Sequence, residues 1–215
     1  MIAVLASELD SEAQSIVAEW SHHGAALLSA RDLTTAGWEF YSSDPAAGIA
    51  VLDGRRVPVA NLQAVLTRRP AVLAEELASL TPSDRSYAAA ETNAFLVAWL
   101  TSLPCKVVNR PTKTSLCGPA WDAIHWRSAA AAAGVDWVTE NDDSAIERVV
   151  VCGSQSFFAT TDKQKTTARA LAHAAGVDLL SVAFRGDRPC GACVVPPLDR
   201  AEVREFLVSY LLEGA

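Results

Sequence analysis

Cys190 and Cys193 form a C-x-x-C in the stretch LLSVAFRGDRPCGACVVPP, near the end of a 215-residue chain. Two thiols at that spacing can hold zinc or cycle through a disulfide. A redox pair belongs where a strand meets a helix start, because the helix dipole lowers a thiol pKa. This pair instead follows a turn and enters an apolar run. A closed zinc site takes four ligands, so Cys105, Cys117 or Cys152 would have to converge on it. On a regular strand, residues three apart point to opposite faces, which separates the two thiols. Thiol redox or metal binding is therefore a second alternative. His22, His23, His125 and His173 show no metal-ligand spacing with a cysteine or carboxylate.

Arginine offers another chemistry. Arg68 and Arg69 in TRRP and Arg110 in NRP can grip a carboxylate or phosphate through paired N–H groups. Each is expected at or just beyond a strand end, where open α/β sheets hold their ligands. Glu91 is expected to be partly buried and to tie its helix to the RRP or NRP loop. Asn109 and the loop RPTKTSLCGPAW, with Trp121, can frame a pocket. The candidate ligand- or partner-binding set is thus Arg68, Arg69, Glu91, Asn109, Arg110 and Trp121. Its expected ligand is a small anion or an acidic peptide segment. A surface salt-bridge cluster with Glu75, Glu76 or Glu91 would use the same arginines. No catalytic residue and no metal ligand is expected.

Strands and helices must alternate to place these groups. IAVLA, AALLS, AVLT and KVVN read as short buried strands. WEFYS and GIAVLD read as strands, with DGRR as a turn. A helix follows IAVLA, with Ser11 and Gln14 at capping-box spacing. Residues 84–103 give the clearest helix: Tyr87, Glu91, Phe95 and Trp99 recur every four residues, and Pro104 stops it. The second half predicts a helix over AWDAIHWRSAAAAAG, a strand at VDWV and a polar connection at TENDDSAIE. A strand pair at RVVVCG and SFFATT follows, then a helix ending at Gly176. LLSVAF and ACVV are the closing strands, and a last helix carries Asp199 and Glu202 at cap spacing. The pattern is that of an α/β protein.

Composition narrows the class. Half the residues are hydrophobic and the formal net charge is −7. The core is large enough for one domain or two small ones. An acidic chain repels phosphate backbones, which argues against nucleic acid. No long uncharged apolar window predicts a membrane span. The N-terminal run lacks a basic region, so it does not read as a signal peptide. The five scattered cysteines then read as reduced thiols of a cytoplasmic protein.

The order of elements resembles the ATP-grasp ligases, in particular the peptide-modifying, graspetide-type branch. VLTRRP resembles the strand-end arginine motif of that family's N-terminal (pre-ATP-grasp) domain. YAAAETNAFLVAWLTSLPCKVVNRP resembles its helix with an internal Glu and the strand ending in Asn-x-Pro. WRSAAAAAGVDWV is similar to the helix and strand that follow. LAHAAGVDLLSVAFRGDRPCGACVVPP resembles the closing strand pair. The resemblance implies a Rossmann-like pre-ATP-grasp domain over 1–110 and a reduced ATP-grasp-like α+β part over 111–215.

The departures carry the functional expectation. The family's magnesium ligands are an acidic residue of the first closing strand and the Glu and Asn of the second. Those positions read Ala183, Cys193 and Val195 here, and none is a hard oxygen donor. The family's central nucleotide-lid subdomain is also missing: VDWVTENDDSAIERVVVCG passes from one flank to the other in about ten residues. No glycine-rich phosphate loop occurs. The resemblance therefore implies a non-catalytic protein without cofactor, a binding or partner subunit. Its expected partners are a second copy of itself, a full-length ATP-grasp ligase or that ligase's peptide substrate. The alternative is an ATP-grasp-type ligase or small anionic-ligand enzyme using a rebuilt pocket. Loss of the lid would leave apolar surface for an oligomer to cover.

Overall fold

The computed structural model describes residues 1–138 and 145–213. The chain divides into two units. One comprises Met1–Cys117 with the last residues from Leu211, and the other Gly118–Tyr210.

The first unit is built on a parallel sheet of β1 (Ile2–Leu5), β2 (Ala25–Leu28), β5 (Ala64–Thr67) and β6 (Lys106–Val108), in the order β2-β1-β5-β6. Both faces are buried, as the unbroken apolar runs require. Ala3, Leu5, Val65 and Val107 face a core with Leu96, Trp99 and Leu100 of α3 (Arg85–Ser102). Ile2, Val4 and Leu66 alternate to the other face and are equally buried. Helix α1 (Ser11–Glu19) starts one residue earlier than the capping-box spacing implies: Asp10 is its cap and accepts the Ala13 N–H at 2.9 Å. A four-residue helix α2 (Ala30–Leu33) follows β2. The antiparallel hairpin β3 (Ile49–Leu52) and β4 (Arg55–Pro58) turns at Asp53-Gly54 as expected. WEFYS forms no strand; it contributes only a bridge between Glu39 and Ile49.

The second unit carries an antiparallel sheet in the order β10-β9-β7-β8, made of β7 (Ile146–Cys152), β8 (Gln155–Phe157), β9 (Leu179–Arg185) and β10 (Arg188–Cys193). Val149, Val151, Leu180, Val182 and Phe184 meet α4 (Ala123–Ala132) and α5 (Asp162–Ala175) through Trp126, Ala168 and Leu171. Gly176 caps α5 in the left-handed region at φ +62°. The opposite face holds Val150, Cys152 and Phe157; α6 (Ala201–Leu212) lies against it, with Phe206 and Phe157 ring centroids 5.5 Å apart. VDWV forms no strand: Val138 N–H donates one bond to the Pro189 carbonyl, at 2.8 Å. The expected polar connection falls largely on 139–144, outside the described residues. The closing strand lies earlier than ACVV: both cysteines belong to β10, and Val194 and Val195 lie beyond it.

The molecule is therefore a mixed α/β protein with one parallel sheet and antiparallel sheets. Among the described residues no helix is long and apolar enough to cross a membrane.

One glycine fixes how α6 meets its sheet. Gly153 has φ +54°, and a Cβ there would come within 2.6 Å of the Tyr210 ring. Gly153→Ala should destabilise the chain by about 2 kcal/mol, from overpacking and backbone strain together. Adding Tyr210→Ala should not restore stability fully, because the φ strain remains; paired urea melts read both effects.

Candidate functional site

The carboxyl edge of the parallel sheet gathers Arg68, Arg69 and Asn109. Thr67 closes the strand ends together: its hydroxyl donates to the Val108 carbonyl at 2.7 Å. Asn109 turns the chain at φ +54° and is 1% exposed. Asparagine tolerates that left-handed region better than most residues. It shapes the edge rather than presenting its side chain to solvent.

Both arginines of TRRP are committed inside the protein. Arg68 donates to the Asp10 carboxylate at 3.1 Å and pairs with Glu12. It thereby pins the start of α1 to the end of β5. Arg69 donates to the carbonyls of Ala71 (2.9 Å) and Ala6 (3.3 Å) and pairs with Glu76. Each arginine side chain is only 6% exposed. Of the acidic partners weighed from the sequence, Glu76 is the one Arg69 takes. Asp10 and Glu12 were missed, although β1 beside β5 in a parallel sheet brings the loop after β1 to this edge.

Arg110 sits elsewhere. Its guanidinium donates to the carbonyls of Leu100 (3.2 Å), Thr101 (3.2 Å), Leu103 (3.5 Å) and Cys105 (3.3 Å). It caps the C-terminal end of α3, where carbonyls lack helical partners and a cation suits the dipole.

Glu91 is exposed and bonded to neither arginine loop. The expected tie does not form, for a geometric reason. A four-residue spacing overshoots the helical turn, so the Tyr87-Glu91-Phe95-Trp99 stripe rotates by about 120° over its length. Tyr87 is 72% exposed and Trp99 1%. Trp121 lies in the other unit, where its ring meets Trp126 edge to face at 4.9 Å. With His125, Ala129, Ala170 and His173 it lines a groove of about 600 Å³.

The loop RPTKTSLCGPAW, which the sequence marks as able to frame a pocket, lines a cavity beside the carboxyl edge through Lys113, Thr114, Ser115 and Leu116, without Asn109 or Trp121. Pro70, Ala71, Asn93, Ala94, Val97 and Leu116 enclose about 500 Å³, with Lys113 at its wall. Asn93 is fully engaged, binding Val72 in both directions and donating to Ala89. Lys113 is exposed and makes no ion pair among the described residues. An apolar groove with one free cation suits an aliphatic carboxylate.

The C-x-x-C is also rearranged. Gly191 opposes Ala183, Cys193 opposes Ser181, and the register slips between Pro189 and Gly191. Cys190 is the extra residue of a β-bulge. Strict alternation therefore breaks between the two cysteines, which the regular-strand argument did not anticipate. Their thiols engage the Ala183 and Val195 carbonyls at 3.4 and 3.2 Å. Among the described residues none of the five cysteines is in a disulfide. Among the described residues no three His, Cys, Asp or Glu side chains converge as a metal site would need.

The Arg69–Glu76 pair makes the sheet edge acid-sensitive. Burial alone would push the Glu76 carboxyl up; the Leu73 N–H and the Arg69 guanidinium outweigh it and hold the carboxyl below its ordinary value. A depressed carboxyl stabilises the fold above the ordinary glutamate range, and that contribution is lost as pH falls through the lowered value. Glu76→Gln should flatten the acid limb of the stability curve below about pH 4.5. Arg69→Met should destabilise the chain at neutral pH by about 3 kcal/mol, since it strands Glu76. Denaturant melts across pH measure both; an Arg69→Met chain as stable as wild type would return that arginine to the ligand-binding set.

No family model and no curated protein matches the chain. Solved structures do. The macrocyclase MdnC of Microcystis aeruginosa MRC, bound with precursor peptide MdnA, superposes with a TM-score of 0.68 at 11% identity, covering 97% of this chain and 99% of that one. A Chryseobacterium gregarium RiPP-associated ATP-grasp ligase, in complex with ADP and a leader and core peptide, gives 0.68 at 9% identity, covering 100% and 97%. The ATP-grasp ligase PsnB complexed with minimal precursor gives 0.64 at 13%, covering 97% and 98%. The chain has an ATP-grasp-like fold, similar to that of peptide-modifying ATP-grasp ligases.

Proposed function

We propose that this chain is a non-catalytic ATP-grasp-like binding protein, a partner subunit for a full-length ATP-grasp ligase or for its peptide substrate. One observation carries the reading. On the closing strands, the face away from the helical core holds Ser181, Ala183 and Arg185 on β9, Gly191 and Cys193 on β10, and Arg148 on β7. None of these residues is a carboxylate. Magnesium needs hard oxygen ligands, and this set does not fit the ion. No catalytic step is derived through it.

Three of the solved structures with this fold hold precursor peptide, leader peptide or core peptide. That supports peptide recognition as the activity retained. The Lys113 groove suits an acidic residue flanked by aliphatic ones. In this reading the unit ending at Cys117 serves as the pre-ATP-grasp-like domain and the rest as its reduced companion, in the cytoplasm. The exposed Ile124 (72%) is where a second copy or the ligase would find apolar surface.

Calorimetric titration with Mg-ATP should give no binding heat, and ATP hydrolysis should stay at buffer level. Micromolar, magnesium-dependent ATP binding would overturn the reading. Mixed with a ligase and precursor peptide encoded beside it, the chain should co-elute with one of them on size exclusion. Lys113→Glu should weaken an acidic peptide's binding about tenfold, because it replaces attraction with repulsion inside an apolar groove.

A further inference from the structure

Helix α3 has a second groove on its other flank, within the same unit. Glu91 and Phe95 form one wall, and Thr35, Gly37 and Trp38 the other, around about 590 Å³. Phe95 meets Trp38 edge to face at 5.4 Å and Phe40 at 5.9 Å. Trp38 is held in place because its indole N–H donates to the Asp32 carbonyl at 2.9 Å. The hydroxyls of Thr34 and Thr35 both donate to the Arg31 carbonyl, at 3.0 and 2.9 Å. Besides the Thr92 hydroxyl, the groove offers aromatic surface and one carboxylate.

That carboxylate is unengaged. Glu91 is exposed, and no hydrogen bond or ion pair holds it among the described residues. No lysine or arginine lines the groove. The nearest cation, Arg56, passes its side-chain carbons by Gly37 and places its guanidinium on Glu39. Aromatic rings and a carboxylate attract the same ligand: an ammonium group on an apolar stem.

We propose that this groove binds a lysine side chain of a partner polypeptide. The stem lies against Phe95 and Trp38, and the ammonium sits at Glu91. The net charge of −7 favours the approach of a basic segment. The proposal stands on this groove alone and does not depend on the ligase-derived reading.

The test is an NMR titration of the full chain with acetyl-Gly-Lys-Gly-amide, following the Trp38 indole N–H. Norleucine in place of lysine keeps the stem and removes the charge. The lysine peptide should shift the Trp38 signal saturably, and the norleucine peptide should not. Glu91→Gln should weaken binding about fivefold, the upper range for an exposed ion pair. Phe95→Leu should weaken it about threefold. Glu91 is exposed on the helix, so Glu91→Gln should remain folded by circular dichroism and carry the test even where Phe95→Leu unfolds. Equal binding of the norleucine peptide, unchanged affinity in Glu91→Gln, or shifts that bypass Trp38 would each overturn the proposal.

Discussion

Two adjacent guanidinium groups, aimed to opposite sides of one strand end, hold the first unit together. Successive residues on an extended chain alternate in direction. Arg68 therefore reaches the start of α1, while Arg69 reaches back to the Ala6 carbonyl and forward to Ala71 and Glu76. The parallel strands here are only three or four residues long. Ladders that short contribute few hydrogen bonds, so side-chain clamps at the carboxyl edge fix where the loops leave. A buried guanidinium requires its carboxylates, which in turn fixes the acidic residues at the first turn of α1 and beside Leu73.

That constraint decides what the sheet edge can bind. A guanidinium already satisfied by carboxylates and carbonyls has little left for a ligand. Arg110 is withdrawn in the same way, capping α3. Two exposed charges of this unit flank α3 instead, with Lys113 on one side and Glu91 on the other. The helix separates two grooves of opposite sign, and its small residues, Ala90 and Ala94, leave room for the first of them.

The strand-and-helix order was legible because runs such as IAVL, AVLT and RVVVC have one plausible burial each. Side-chain direction was less so. The stripe from Tyr87 to Trp99 looked continuous, yet a spacing of four drifts round the helix, and Glu91 emerged on the solvent side. Strand parity puts the cysteine pair on opposite faces, but the register slips between Pro189 and Gly191, so parity no longer decides their direction. VDWV has strand composition, but it reaches the edge of β10 through one backbone bond and the Asp136–Arg188 ion pair rather than a ladder. Lys113 lay in the loop expected to frame a pocket, but its own part was hidden, because a lysine in a polar loop is indistinguishable from any solvated one until the apolar wall behind it is placed. Arg68 and Arg69 were recognised as strand-end residues; which carboxylates they take depends on contacts across the sheet that no local pattern encodes.

The second sheet is covered differently on the face away from α4 and α5. Toward β8 that face is closed by α6, with Phe206 on Phe157 and Tyr210 over Gly153. Its other end carries Arg148 beside Ala183 and Arg185 beside Ile146 across the β7–β9 ladder. Arginine can attract an anion but cannot serve as the Lewis acid that bridges and polarises phosphate oxygens, which is a metal ion's contribution. A face of this composition offers positive charge to a carboxylate or phosphate and no carboxylate to a metal ion. Binding of that kind needs only charge and shape, and the packed core of Val149, Val182 and Phe184 behind the face keeps both in place.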